Sequence, residues 1–167
     1  MTPIREVSPL SRRAAEGMAT LDSYAAPTAG FAEQVYGYDL LADGADGADR
    51  TLAMLYNRGA DHALVLRFNR NELPCFTVWK NTAALEDGYV TGLEPGTNYP
   101  NFKSFEREQG RVPMLPPGGK WQCTWSLEAL DTAASVAAVL AEIAALQAHA
   151  PAVIHRAPHR RFTTAAS

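Results

Sequence analysis

Residues 120–130 read KWQCTWSLEAL, in which Trp121, Cys123, Trp125, Leu127 and Ala129 alternate with Lys120, Gln122, Thr124, Ser126 and Glu128. A period of two puts the first set on one face of an extended strand and the second on the other. A helix would scatter both sets around its axis, so this run requires a half-buried strand with one wet face. Pro116-Pro117-Gly118-Gly119 before it is a strong turn. Weaker runs of the same kind cover 31–40, 51–56, 62–68, 75–80 and 89–94. Between them stand Asp43-Gly44-Ala45-Asp46-Gly47, Arg58-Gly59-Ala60-Asp61, Asn69-Arg70-Asn71 and Glu86-Asp87-Gly88, all turn chemistries. Six short strands joined in this way predict a mostly β protein, an antiparallel β-sandwich or barrel.

The period changes near the end. Val136, Val139, Leu140, Ile143 and Leu146 fall on one face at helical spacing, and Asp131 is placed to cap a helix over 131–147. Packing against the sheet is the ordinary reading of such a helix; binding a partner is the alternative. A short helical turn is expected at 12–18, and Pro27 to Gly30 breaks the chain before the first strand. No internal repeat is present.

With 167 residues, 47% hydrophobic and 20% charged, the chain suits one globular core rather than disorder. No run approaches the roughly 18 apolar residues of a membrane helix. The first residues, MTPIRE, hold no apolar signal core, so the expected location is cytoplasmic. Cys75 and Cys123 lack metal-ligand spacing and read as buried free thiols rather than a disulfide. No glycine-rich phosphate loop, CxxC pair or HExxH occurs, so neither a metal nor a cofactor is expected.

Charge is unevenly placed. The net charge is −3, yet residues 149–167 hold three arginines and no acid. Residues 1–148 are expected to form the folded domain, and 149–167 a basic, disordered tail. Three arginines are too few for a nucleic-acid footprint.

One segment invites chemistry. In Gly92-Leu93-Glu94-Pro95-Gly96-Thr97-Asn98-Tyr99-Pro100-Asn101 a carboxylate sits where an apolar strand enters a proline-rich loop. Rigid scaffolds present functional groups at such junctions, and Pro95 restricts the backbone of Glu94. Trp79, Tyr99, Phe102 and Asn98 offer stacking faces and hydrogen bonds for a sugar. An edge glutamate on a solvated loop fits the same residues. His62, beside a turn, reads as a solvent-facing strand entry.

Four segments add a resemblance. LPCFTVWKN at 73–81, YVTGLEPGTNYPN at 89–101 and MLPPGGKWQCTWSL at 114–127, with GFAEQVYGYDL at 30–40, resemble the C-terminal half of aldose 1-epimerase-like proteins of the galactose mutarotase superfamily. The likeness is greatest to a less-characterised branch and runs over about 1–148. It implies a partial β-sandwich with one C-terminal helix, carbohydrate binding, and interconversion of sugar anomers by acid/base ring opening, without a cofactor. It places Glu94 as the base that takes the anomeric proton. Glu33 and Gln34 match the family's sugar-binding acid and histidine, and Trp79 and Lys80 match a pocket-lining motif; Asn98 and Tyr99 complete the expected sugar contacts. The family's acid histidine comes from an N-terminal half, and none of His62, His149, His155 or His159 matches it. The resemblance therefore leaves three readings: an anomer-interconverting enzyme, a non-catalytic carbohydrate-binding module, or a fragment that acts by association. The expected partners are a small sugar, and either a second copy or a complementary N-terminal half, with neither nucleic acid nor membrane.

Overall fold

A computed structural model describes residues 1–44 and 47–165. Among the described residues eight strands and three α-helices follow in order: β1 Ile4–Pro9, α1 Arg12–Glu16, β2 Gln34–Leu40, β3 Arg50–Tyr56, β4 Ala63–Asn69, β5 Cys75–Asn81, β6 Val90–Gly96, α2 Lys103–Glu108, β7 Trp125–Leu130, α3 Ala133–Gln147 and β8 Val153–Ile154. Two sheets form, a five-stranded one in the order β6-β5-β2-β1-β8 and a three-stranded one in the order β3-β4-β7. Neighbours are antiparallel except β1 and β8. The architecture is the expected antiparallel β-sandwich with a C-terminal helix.

Strand alternation builds the layers. Tyr36, Tyr38, Phe76 and Val78 of the larger sheet meet Ala53, Leu66 and Phe68 of the smaller one in a buried core. The alternate residues of β3 and β4, Leu52, Met54, Ala63 and Val65, face away from that core. They pack against Val136, Val139, Ile143 and Leu146 of α3. The helix thus packs on the sheet, and the residues that do so are those its spacing predicts. Its cap is Thr132, whose hydroxyl accepts from Ser135 N at 3.2 Å, rather than Asp131. Arg67 on β4 fixes α3 with two hydrogen bonds to Glu142, at 2.6 and 2.8 Å, and reaches Glu128 on β7 at 2.9 Å.

Four features depart from the sequence expectations. Strand β7 covers six residues, because 120–124 run on without ladder bonds. Its apolar face, expected to be buried, is open: Trp125 and Leu127 are each 58% exposed. Strand β1, preceded by Pro3 and ending at Pro9, escaped the period-two reading because its charged Arg5 and Glu6 interrupt the alternation. The tail is ordered: Val153 and Ile154 pair with β1, and Phe162 is fully buried. The tail's basic charge meets acids distant in sequence, since Arg161 donates to Asp39 at 2.6 Å and also contacts Glu6. Ala45 and Asp46 of the predicted turn at 43–47 lie outside the described residues. Cys75 is buried and Cys123 half-buried, and neither is in a disulfide.

Candidate functional site

The larger sheet has one face on the core and one turned outward. Register assigns the outward residues: Glu94 of β6 lies opposite Thr77 of β5, which lies opposite Gly37 of β2. One row along, Gly92, Trp79 and Val35 are opposite one another. Directly paired residues share a face, so Glu94 and Trp79 stand on the same side, diagonal to each other. A Cβ placed on Gly92 would fall 2.3 Å from Glu94 Oε1. The carboxylate therefore lies back over Gly92, toward the Trp79 row. The Trp79 indole N–H donates to Glu33 Oε2 at 2.7 Å. Three of the sequence-selected residues, Glu94, Trp79 and Glu33, thus share one exposed patch. Glu94 sits on an edge strand, which tolerates Pro95 after it, and has no hydrogen-bond partner among the described residues.

Gln34 and Lys80 are paired across β2 and β5 but face inward, only 6% and 3% exposed. Gln34 Oε1 accepts from the Tyr36 hydroxyl at 2.8 Å. Lys80 Nζ donates to Thr20 O at 2.6 Å and stands 5.3 Å from the centre of the Tyr24 ring. Burial pushes its ammonium below the usual lysine value, a shift that Asp22 opposes. Both side chains hold the segment after α1 against the sheet and do not reach the outward patch. The period of two explains this: Gln34 follows Glu33, and Lys80 follows Trp79, so each is directed to the other face.

Tyr99 is also buried, at 3% exposure. Its hydroxyl donates to Tyr38 O at 2.8 Å and its ring packs against Phe162, with centroids 5.1 Å apart. It is an anchor of the loop and offers no open stacking face. Gly37 makes room for it: a Cβ there would lie 2.9 Å from Phe162 Cδ1 and 3.3 Å from Tyr99 Cδ1. Asn98 is exposed and donates to Tyr99 O at 2.8 Å. Phe102, 80% exposed, lies farther along the same loop.

The sequence reading missed what fixes this loop. Glu106 of α2, 1% exposed, accepts from Arg111 Nε at 2.6 Å and Nη2 at 2.8 Å, from Asn101 Nδ2 at 2.7 Å and from Tyr99 N at 3.3 Å. Burial alone would raise its pKa, but these donors and the Arg111 charge outweigh that and hold it below the ordinary carboxylate value. Nothing local in KSFERE distinguishes Glu106 from its exposed neighbour Glu108.

Two concavities stand apart from the patch. One of about 840 Å³ lies at the end of the smaller sheet and is lined by Arg67, Glu72, Trp125 and Glu142. The other, about 550 Å³, is an apolar groove between the sheets, lined by Leu55, Leu64, Leu93, Trp121, Trp125 and Leu127. Glu94 lines neither. His62 is exposed beside Asp61, with its ring nitrogen 2.9 Å from Asp61 Oδ1, as its place at a turn suggests. Among the described residues no helix is long and apolar enough to cross a membrane.

Two sheets packed around one core make this a β-sandwich protein, and its likeness to a solved structure makes that sandwich galactose mutarotase-like. The chain superposes with a TM-score of 0.87 on a crystal structure described as "a putative aldose 1-epimerase from Klebsiella pneumoniae subsp. pneumoniae MGH 78578", at 37% sequence identity. The match covers 93% of this chain and 40% of that one, so this chain spans well under half the length of its structural relative. No curated protein matches the sequence. The chain belongs to the family described as a domain of unknown function, DUF4432, whose model matches residues 1–129.

Proposed function

We propose that this chain is the C-terminal half of an aldose 1-epimerase-like sandwich, of a less-characterised branch, and that it carries the base of an anomer-interconverting site. The observation that carries the reading is the patch of Glu94, Trp79 and Glu33 on the outward face. Glu94 Oε1 is free of protein donors and available to take the proton from an anomeric hydroxyl. As that O–H breaks, the C1–ring-oxygen bond cleaves and the ring oxygen takes a proton from an acid, which is water where this chain acts alone and a residue of the complementary half where the two associate. Rotation about C1–C2 and reclosure on the other face returns both protons by the same groups. Trp79 supplies an apolar face for the sugar ring, and Glu33 holds its indole in place while keeping acceptor capacity for sugar hydroxyls. Gln34, Lys80 and Tyr99 support the patch from behind and beneath.

Two observations favour association with further strands of the same sandwich. Glu94 and Glu33 of the patch are exposed, and so are Trp125 and Leu127 of the apolar groove beside β7. Large contiguous apolar surfaces of this kind are normally covered. A second reading, sugar binding without catalysis, is favoured by one fact: His155 and His159, in the segment after β8, lie against β1, three strands from β6, and among the described residues no histidine hydrogen-bonds Glu94, Trp79 or Glu33.

Calorimetric titration of the full chain with glucose, galactose and 2-deoxyribose tests the site. Binding that is lost in Trp79→Ala and Glu33→Ala supports it. No binding at millimolar sugar, or binding that both variants keep, removes it. Size-exclusion chromatography tests the open groove, and a stable monomer across concentrations counts against association.

A further inference from the structure

The tail brings two histidines onto the first strand, away from the sugar patch. His155 Nε2 lies 2.7 Å from Glu6 Oε1. The rings of His155 and His159 stack, with centroids 4.1 Å apart and planes 9° from parallel. One ligand atom from each of Glu6, His155 and His159 lies within 4.8 Å of the other two. Glu6 and His155 are partly buried, with side chains 14% and 23% exposed, while His159 is open to solvent.

We infer that Glu6, His155 and His159 form a binding site for a divalent transition-metal ion such as Zn²⁺, which clips the C-terminal tail to β1. Two imidazoles and one carboxylate are a borderline donor set, suited to Zn²⁺, Co²⁺ or Ni²⁺ rather than to Mg²⁺ or Ca²⁺. Metal–nitrogen and metal–oxygen bonds of about 2.0–2.2 Å bring such ligand atoms close to the separations seen here. The histidines stand four residues apart in HRAPH, a spacing used by zinc ligands. Their supports are in place as well. The backbone at His155 donates to Val7 O at 3.0 Å and that at His159 to Ser8 Oγ at 3.0 Å, so both residues are pinned to the strand that carries Glu6. Arg161 occupies the other Glu6 oxygen and Asp39, orienting the carboxylate from the far side.

Binding requires two changes. The hydrogen between His155 Nε2 and Glu6 Oε1 moves to the other ring nitrogen, which frees Nε2 as a ligand, and the exposed His159 ring tilts off the stack so that both nitrogen lone pairs converge. Glu6 shares the outward face with Glu94, since Glu6 pairs with Asp39 on β2 and Ser8 with Gly37. Three strand spacings and a two-residue offset separate them by about 15 Å, so the ion is out of reach of a sugar at Glu94. Three protein ligands leave coordination positions for water.

The test uses the full chain stripped with chelator. Titration with ZnCl₂ is expected to give one ion per chain in the micromolar range. Co²⁺ is expected to give visible bands of nitrogen and oxygen ligation, and Mg²⁺ no heat. His159→Ala, compared with the parent after its metal-free melting temperature is measured, is expected to weaken Zn²⁺ at least tenfold, whereas His62→Ala leaves it unchanged. Absence of saturable binding, or equal affinity in His159→Ala and the parent chain, overturns the inference.

Discussion

Replacing Glu106 by glutamine keeps the size of the side chain and removes its charge. Arg111, whose side chain is 15% exposed, is then left with a guanidinium beside the Tyr99 and Phe105 rings and no carboxylate to meet it. Breaking one side of a buried pair costs about 3–5 kcal/mol. The residual exposure of Arg111 argues for the lower end, about 3 kcal/mol, which is more than a hundredfold in the folding equilibrium. For a chain of this size that corresponds to a fall of about 6–12 °C in melting temperature. The effect should depend on pH. Glu106 has a folded pKa held below its ordinary 4.5, so its stabilisation is complete above that value and fades as pH falls through the folded one. Chemical denaturation of both proteins from pH 7 to pH 3 measures this directly. The gap should be widest at neutral pH and close in acid. A gap under about 1 kcal/mol at pH 7, or one that persists unchanged at pH 3, refutes the argument.

Gly37→Ala forces a methyl to within 3.0 Å of Phe162 and Leu10. It should cost about 1–3 kcal/mol and make the tail the first site of proteolytic cleavage. Thr132→Ala should lose about 1 kcal/mol of stability through the α3 cap, while Asp131→Ala should change it by less than about 0.5 kcal/mol; thermal melts separate the two. Burial pushes the Cys75 thiol up to about 11, so at pH 8 a disulfide reagent should modify half-buried Cys123 first and Cys75 only on unfolding.

Local patterns carried most of the fold. Period-two runs located β2 to β7, and the switch to helical spacing located α3 and its buried face, because burial on one side imposes those periods directly. The partners of the tail were not legible, since Arg161 and His155 meet Glu6 and Asp39 more than a hundred residues away. The same distance hid the metal-ligand grouping, although the spacing of His155 and His159 was visible in the chain. Of the residues expected to contact a sugar, Glu94, Trp79 and Glu33 share a face. Gln34 and Lys80 fall on the other because adjacent residues on a strand point oppositely, a rule that the motif match overrode. The exposed alternating face of β7 stands beside a difference in length: the match covers 40% of the structural relative.

The assignment of Glu94 as base is tested most directly by polarimetry on freshly dissolved α-anomers of glucose, galactose and 2-deoxyribose, comparing the chain with Glu94→Gln. The account predicts that the chain speeds relaxation above the buffer rate for at least one sugar. Loss of general base catalysis should then remove about 99% or more of that acceleration in the variant, with its melting temperature unchanged because Glu94 is exposed and unpaired. No acceleration by the chain itself, or equal acceleration by Glu94→Gln, contradicts it.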